Sequence, residues 1–113
     1  MSSQWHKITE HINLLPWQNQ LCVVEVAGKK ITLAYYQEKI YASAHKCPHA
    51  SGIMAQGFID ALGNIVCPLH RYKFSLQTGR NTSGEGFYLK TYPTELRTDG
   101  WYVQINSSSL WGW

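Results

Sequence analysis

The sequence predicts an all-β fold, and three observations carry that prediction. Val, Ile, Thr and Tyr recur in short runs, and aromatic residues make up 13% of the chain, a composition that suits pleated, half-buried surfaces. Gly, Asn, Asp and Pro break those runs at short intervals, as turns demand. A helical period is weak throughout and reaches no further than residues 10–15. The chain has 113 residues, 44% of them hydrophobic and 15% charged. That suits one globular domain over 1–113, which at this size buries roughly two-thirds of its unfolded surface.

Residues 21–27 form the first β-rich run, with Cys22, Val24 and Val26 on one face by the two-residue period of a strand. Gly28 and Lys29 turn the chain into a second strand over 31–36, and residues 37–39 turn it again into a third over 40–44. From about 45 to 80 the texture changes: Gly and Pro become frequent, and a Cys-Pro pair followed by His occurs twice. Here residues 58–60 pair with 64–67 across the Ala61-Leu62-Gly63 turn, and 72–76 form a strand that ends at Thr78-Gly79. Strands return at 87–91, 94–97 and 101–105, the last two joined by Asp99-Gly100, a strong hairpin signal. The expected organisation is a β framework with a loop-rich insert over about 45–80 and a short tail over 107–113, which begins with the one biased segment, Ser107-Ser108-Ser109.

Composition also excludes function classes. The net charge is +3, and none of the ten Lys and Arg residues builds a basic stripe, so nucleic acid is not an expected partner. No stretch approaches the length of a membrane span and the opening residues carry no signal pattern, so the expected location is the cytoplasm, with no membrane partner. Three cysteines cannot all pair with one another, and metal ligation in a reducing compartment suits them better than a disulfide framework. Nothing in the pattern sets an oligomeric state.

Two short elements carry the chemistry: Cys47-Pro48-His49 and Cys67-Pro68-Leu69-His70, with seventeen residues between His49 and Cys67. Each is weak alone; together they offer two thiolates and two imidazoles from two loops that must close on a common centre. A structural zinc site usually draws both Cys from one element and both His from another, or uses four Cys. One Cys and one His per loop suits a binuclear centre with both Cys on one iron and both His on the other. Zinc could accept the same four ligands, so a zinc-stapled interaction module stays open on spacing alone.

The run Cys47-Pro48-His49-Ala50-Ser51-Gly52, then Cys67-Pro68-Leu69-His70-Arg71-Tyr72-Lys73-Phe74, then Thr78-Gly79, resembles the two cluster loops of Rieske-type ferredoxins. The likeness extends over about 21–105. It implies the Rieske fold, an antiparallel β-sandwich or barrel with a small inserted cluster-binding subdomain. It implies one [2Fe–2S] cluster on Cys47, His49, Cys67 and His70. It also implies one-electron transfer from a flavoprotein reductase to an oxygenase or another redox enzyme. Such a protein is an electron-transfer component, not a catalyst by itself. With two thiolates and two neutral imidazoles the oxidised centre is neutral, and adding an electron is easier than to a four-thiolate centre.

Departures from the pattern are informative. Many relatives have Gly directly after the second His, where this chain has Arg71. Respiratory Rieske proteins join two further loop cysteines as a disulfide; the matching positions are Gly52 and Leu69, and they also carry a membrane anchor. The same relatives place Ser and Tyr hydroxyls near the cluster where this chain has Tyr72 and Phe74. The resemblance is therefore to the soluble, oxygenase-associated branch. The small subunit of an NAD(P)H nitrite reductase shares the fold and is the alternative function. A Rieske oxygenase needs a large catalytic domain, for which the eight residues after Ile105 leave no room.

Other residues receive plainer readings. Cys22 is expected in the core, and His6, His11 and His45 on ordinary surface or loops. Between Ala44 and Arg80 the basic residues are Lys46, Arg71, Lys73 and Arg80 against the single acid Asp60, a collar that would steer an acidic redox partner. The ending Leu110-Trp111-Gly112-Trp113 is read as a frayed end, or as indoles that cover an apolar strip or a partner.

Overall fold

A computed structural model describes residues 3–106. The Trp-rich ending and the Ser107-Ser108-Ser109 segment lie outside the described residues. Among the described residues ten strands form three antiparallel sheets. The first contains β1 (Ser3–Thr9), β10 (Gly100–Asn106) and β9 (Thr94–Arg97), in that order. The second runs β2 (Leu21–Val26), β3 (Lys29–Tyr36), β4 (Lys39–Ala44) and β8 (Thr91–Tyr92). The third runs β5 (Phe58–Ile59), β6 (Asn64–Val66) and β7 (Lys73–Ser75). The all-β expectation holds: among the described residues there is no α-helix, only two single 3₁₀ turns.

The second sheet sits between the other two because its strands are apolar on both faces. Cys22, Val26, Leu33 and Ala42 pack with Trp101, Val103 and Ile105 of the first sheet. Leu21 and Ala34 turn the other way, toward Ile65, Phe74, Leu76 and Leu89. Adjacent residues of one strand thus feed two cores, as a period of two requires. Cys22 falls where the alternation put it, 5% exposed, and burial pushes its thiol up to about 11.

The structure corrects three local expectations. β1 carries no strand signal in the sequence, because His6 and Lys7 interrupt its apolar alternation; among the described residues it is an edge strand that pairs with β10 alone, with a bulge between Lys7 and Thr9. The weak helical period over 10–15 yields one 3₁₀ turn, Ile12–Leu14, whose N-terminus His11 caps by accepting a hydrogen bond from Asn13 N–H. Pro16 follows and disfavours helical backbone before it. The strand expected at 87–91 shrinks to Thr91–Tyr92, and Phe87 and Tyr88 are 39% and 66% exposed.

Gly79 explains the Thr78-Gly79 element physically. Its φ is +79°, and a Cβ placed there would meet the Leu89 carbonyl oxygen at 1.9 Å. Its N–H donates to Ser75 O at 2.8 Å and its carbonyl accepts from Leu89 N at 2.9 Å. Gly79→Ala is therefore expected to cost about 2–4 kcal/mol, read as a lower urea midpoint; a change within experimental error would contradict this close approach.

Candidate metal centre

The two cysteine loops hang from neighbouring elements beside the second core. The first leaves the end of β4. Cys47 N–H donates to Gly52 O at 2.7 Å, and Ser51 N–H returns to Cys47 O at 3.0 Å, with Ser51 in the left-handed region. The second is the hairpin connection between β6 and β7, where Val66 pairs with Lys73 and Cys67 N–H donates to Tyr72 O at 2.8 Å. Asn64, Ile65 and Val66 are all buried, so Cys67 starts from a fixed base. Asp60 shapes the neighbouring β5–β6 turn, accepting from Leu62 N–H, Asn64 N–H and Asn64 Nδ2 at 2.9–3.0 Å.

Two consecutive residues at the tip of the second loop adopt left-handed backbone: His70 at φ +65° and Arg71 at φ +59°. This conformation costs an L-residue roughly 1–2 kcal/mol, which explains why Gly is common directly after the second His and why Arg71 is a strained departure. Gly52 meets a different constraint. A Cβ there would approach Cys67 Sγ at 3.2 Å and the Leu69 side chain at 3.1 Å. The positions matching the respiratory disulfide are therefore face to face, and each now holds a residue that cannot form it.

The four singled-out side chains converge. Cys47 Sγ lies 2.9 Å from His49 Nδ1, and His49 Nε2 lies 3.1 Å from His70 Nδ1. Ligand atoms of Cys47, His49 and Cys67 all fall within 4.8 Å of one another. The sulfurs are deep, with Cys47 2% and Cys67 0% exposed, whereas His49 is half-buried and His70 exposed. Burial first, and then the neighbouring Cys47 thiol, pushes the Cys67 thiol up to about 11, against a hydrogen bond from the Leu69 backbone. A metal binding there displaces protons held at neutral pH. Two sulfur donors and two imidazole donors, two from each loop, fit the donor set of a two-iron centre.

Aromatic rings complete the outer wall. Tyr72 stacks on His49 with ring centres 3.9 Å apart, and Phe87 stands 5.9 Å from His49 and 5.8 Å from Tyr72. Sequence reasoning missed Phe87, because an aromatic beside Tyr and Leu reads as a strand former; here it reaches back over the site. His45 is half-buried, and its Nδ1 has no hydrogen-bond partner among the described residues. Its pKa is held below the ordinary value by burial first, then by Lys30 and Lys46. Of the basic collar, Lys46, Arg71 and Arg80 are exposed, whereas Lys73 lies 3.8 Å from the Asp60 carboxylate.

Comparison with known proteins agrees with this geometry. A family model described as a Rieske-like [2Fe–2S] domain matches residues 4–106. The ferredoxin component of the naphthalene 1,2-dioxygenase system of Pseudomonas aeruginosa is 35% identical over 86 residues, covering 75% of this chain and 80% of that one. Among solved structures, the ferredoxin of carbazole 1,9a-dioxygenase from Nocardioides aromaticivorans IC177 superposes with a TM-score of 0.75 at 19% identity, over 91% of this chain and 98% of that one. A complex of reduced oxygenase and oxidized ferredoxin in carbazole 1,9a-dioxygenase matches with a TM-score of 0.73 at 22% identity, over 88% and 91% of the two chains.

Proposed function

The chain belongs to the Rieske-like [2Fe–2S] domain family, and from that premise we propose that it serves as the ferredoxin component of an oxygenase system. It carries one electron at a time from a flavoprotein reductase to a terminal oxygenase. In this reading Cys47 and Cys67 hold one iron and His49 and His70 the other, within a domain that spans 1–113 and has its cluster-binding part at about 45–80. Bound there, the [2Fe–2S] centre supplies one-electron redox chemistry. The observation that carries the reading is the gradient of burial across the four side chains, from sulfurs sealed in the core to the exposed imidazole of His70.

That gradient divides the work. The core packing around Cys47 and Cys67 excludes water from the sulfurs, while His70 presents a short path to a docked partner. Exposed Lys46, Arg71 and Arg80 near the loops supply positive potential that raises the encounter rate with an acidic surface. Lys73 contributes less to that potential, because the Asp60 carboxylate offsets it. The named relatives act in dioxygenase systems, which supports an oxygenase as acceptor. Three cysteines without disulfides suit a reducing compartment, and no helix among the described residues is long and apolar enough to cross a membrane. The free thiols support a cytoplasmic location.

Stopped-flow transfer to a terminal oxygenase tests the reading. The reduced protein should be oxidised by the oxygenase, with a rate that falls as ionic strength rises, because exposed charges are screened beyond about 8–10 Å. Changing Lys46 and Arg71 to Gln should slow transfer about threefold at low salt and flatten the salt dependence. No oxidation by any such oxygenase would remove the assignment; an unchanged rate in the double variant would leave the collar as solvated surface.

A further inference from the structure

The loop over 81–86 runs between Lys73, to which it is hydrogen-bonded, and Phe87 beside His49, and its construction is too specific for a passive connection. Asn81 is its hub: the Nδ2 group donates to Lys73 O at 3.0 Å, Ser83 Oγ at 3.2 Å and Glu85 Oε1 at 3.0 Å. Its Oδ1 accepts from Glu85 N–H and from Gly86 N–H, the latter at 2.8 Å. The loop is also tied to the start of β7, because Thr82 N–H donates to Lys73 O and Lys73 N–H donates to Ser83 Oγ, both at 2.9 Å. On its far side Phe87 lies against His49 and Tyr72. Glu85 is thus held between two anchors that both belong to the redox site.

Its carboxylate is fixed and ionised. Hydrogen bonds from the Ser83 hydroxyl and then the Asn81 amide hold it below the ordinary carboxylate range, and attraction to the His49 imidazole adds to them. Two residues further on, Phe87 lies 5.9 Å from His49, a ring that the proposed function places on the iron side of the centre, so the loop brings the charge to that side. A negative charge there opposes the arrival of an electron and so lowers the reduction potential.

We propose that Glu85 is a positioning residue of the electron-transfer site: a fixed negative charge on the Asn81-built loop that acts through His49 to bias the centre against reduction. This inference rests on the assignment of the cluster to Cys47, His49, Cys67 and His70. It also gives the loop a division of labour, in which Phe87 shields the imidazole and Glu85 sets its local potential. Because the carboxylate is exposed, the effect is modest and salt-dependent, and it adds to the larger contribution of the cluster surroundings.

Midpoint potentials of the cluster-loaded protein test it, measured by dye-mediated titration at low and high ionic strength. Glu85→Gln retains the Oε1 acceptor but removes the charge. It should favour the reduced form about threefold in the electron-exchange equilibrium, roughly 30 mV upward at 59 mV per tenfold. That difference should shrink at high salt. Glu85→Asp, which restores the charge, should return most of the shift. The electron paramagnetic resonance spectrum of each reduced variant should keep the wild-type pattern. A potential in Glu85→Gln that is unchanged or lower would overturn the proposal. So would an equal upward shift in Glu85→Asp, which would make the loop's shape, not its charge, the cause. A wild-type protein that binds no iron and sulfide would instead remove the ligand assignment beneath it.

Discussion

Cys67→Ser and Cys47→Ser should each abolish the iron–sulfide centre, while Cys22→Ser should keep it. The three cysteines are alike in burial, at 0%, 2% and 5% exposed, so burial alone does not separate them. Position does. Cys47 and Cys67 stand in the two loops beside His49, whereas Cys22 packs among Val26, Leu33 and Trp101 in the other core. A serine hydroxyl is a harder donor that keeps its proton at neutral pH, and iron–sulfide centres select soft thiolates. Loss of the charge-transfer absorbance and of bound iron should therefore be complete in either loop variant. Cys22→Ser buries a hydroxyl where there was a thiol and should cost about 1–3 kcal/mol of stability with full cluster content. Equal cluster loss in all three would show that folding, not ligation, decides it.

The second large effect is a low reduction potential, about −150 to 0 mV, in the lower part of the range for two-cysteine, two-histidine centres. Hydroxyls that donate hydrogen bonds to cluster sulfurs stabilise the more negative reduced state. Where the respiratory relatives place such hydroxyls, this chain has Tyr72 and Phe74. Phe74 is fully buried with no donor, and the Tyr72 ring is committed to stacking on His49. Each missing hydrogen bond to a charged group removes roughly 1.5–3 kcal/mol. At about 40 mV per kcal/mol for one electron, two of them lower the potential by about 120–240 mV. Tyr72→Ser with Phe74→Tyr should raise it by a comparable amount, measured by protein-film voltammetry. A wild-type value near +300 mV would mean that other donors serve the sulfurs.

Much of this was legible in the sequence, for a physical reason: both strand faces and ligands are local patterns. The alternation of Cys22, Val24 and Val26 located one core, and Asp99-Gly100 located the hairpin between β9 and β10. The two Cys-His elements named the side chains that meet. What escaped depends on contacts distant in sequence. β1 gains its pairing from β10, about a hundred residues on. Phe87 and Glu85 lie outside the 45–80 insert, and hydrogen bonds of Asn81, Thr82 and Ser83 bring their loop to the site. The left-handed backbone at His70 and Arg71 was also hidden, because Arg carries no signal for it.

The iron and acid-labile sulfide content of the purified protein, taken together with its visible spectrum, decides whether a two-iron centre occupies the loops. Two irons and two sulfides per chain are expected, with a brown colour and bleaching on one-electron reduction. A colourless protein that holds one zinc per chain and no sulfide would contradict the cluster assignment.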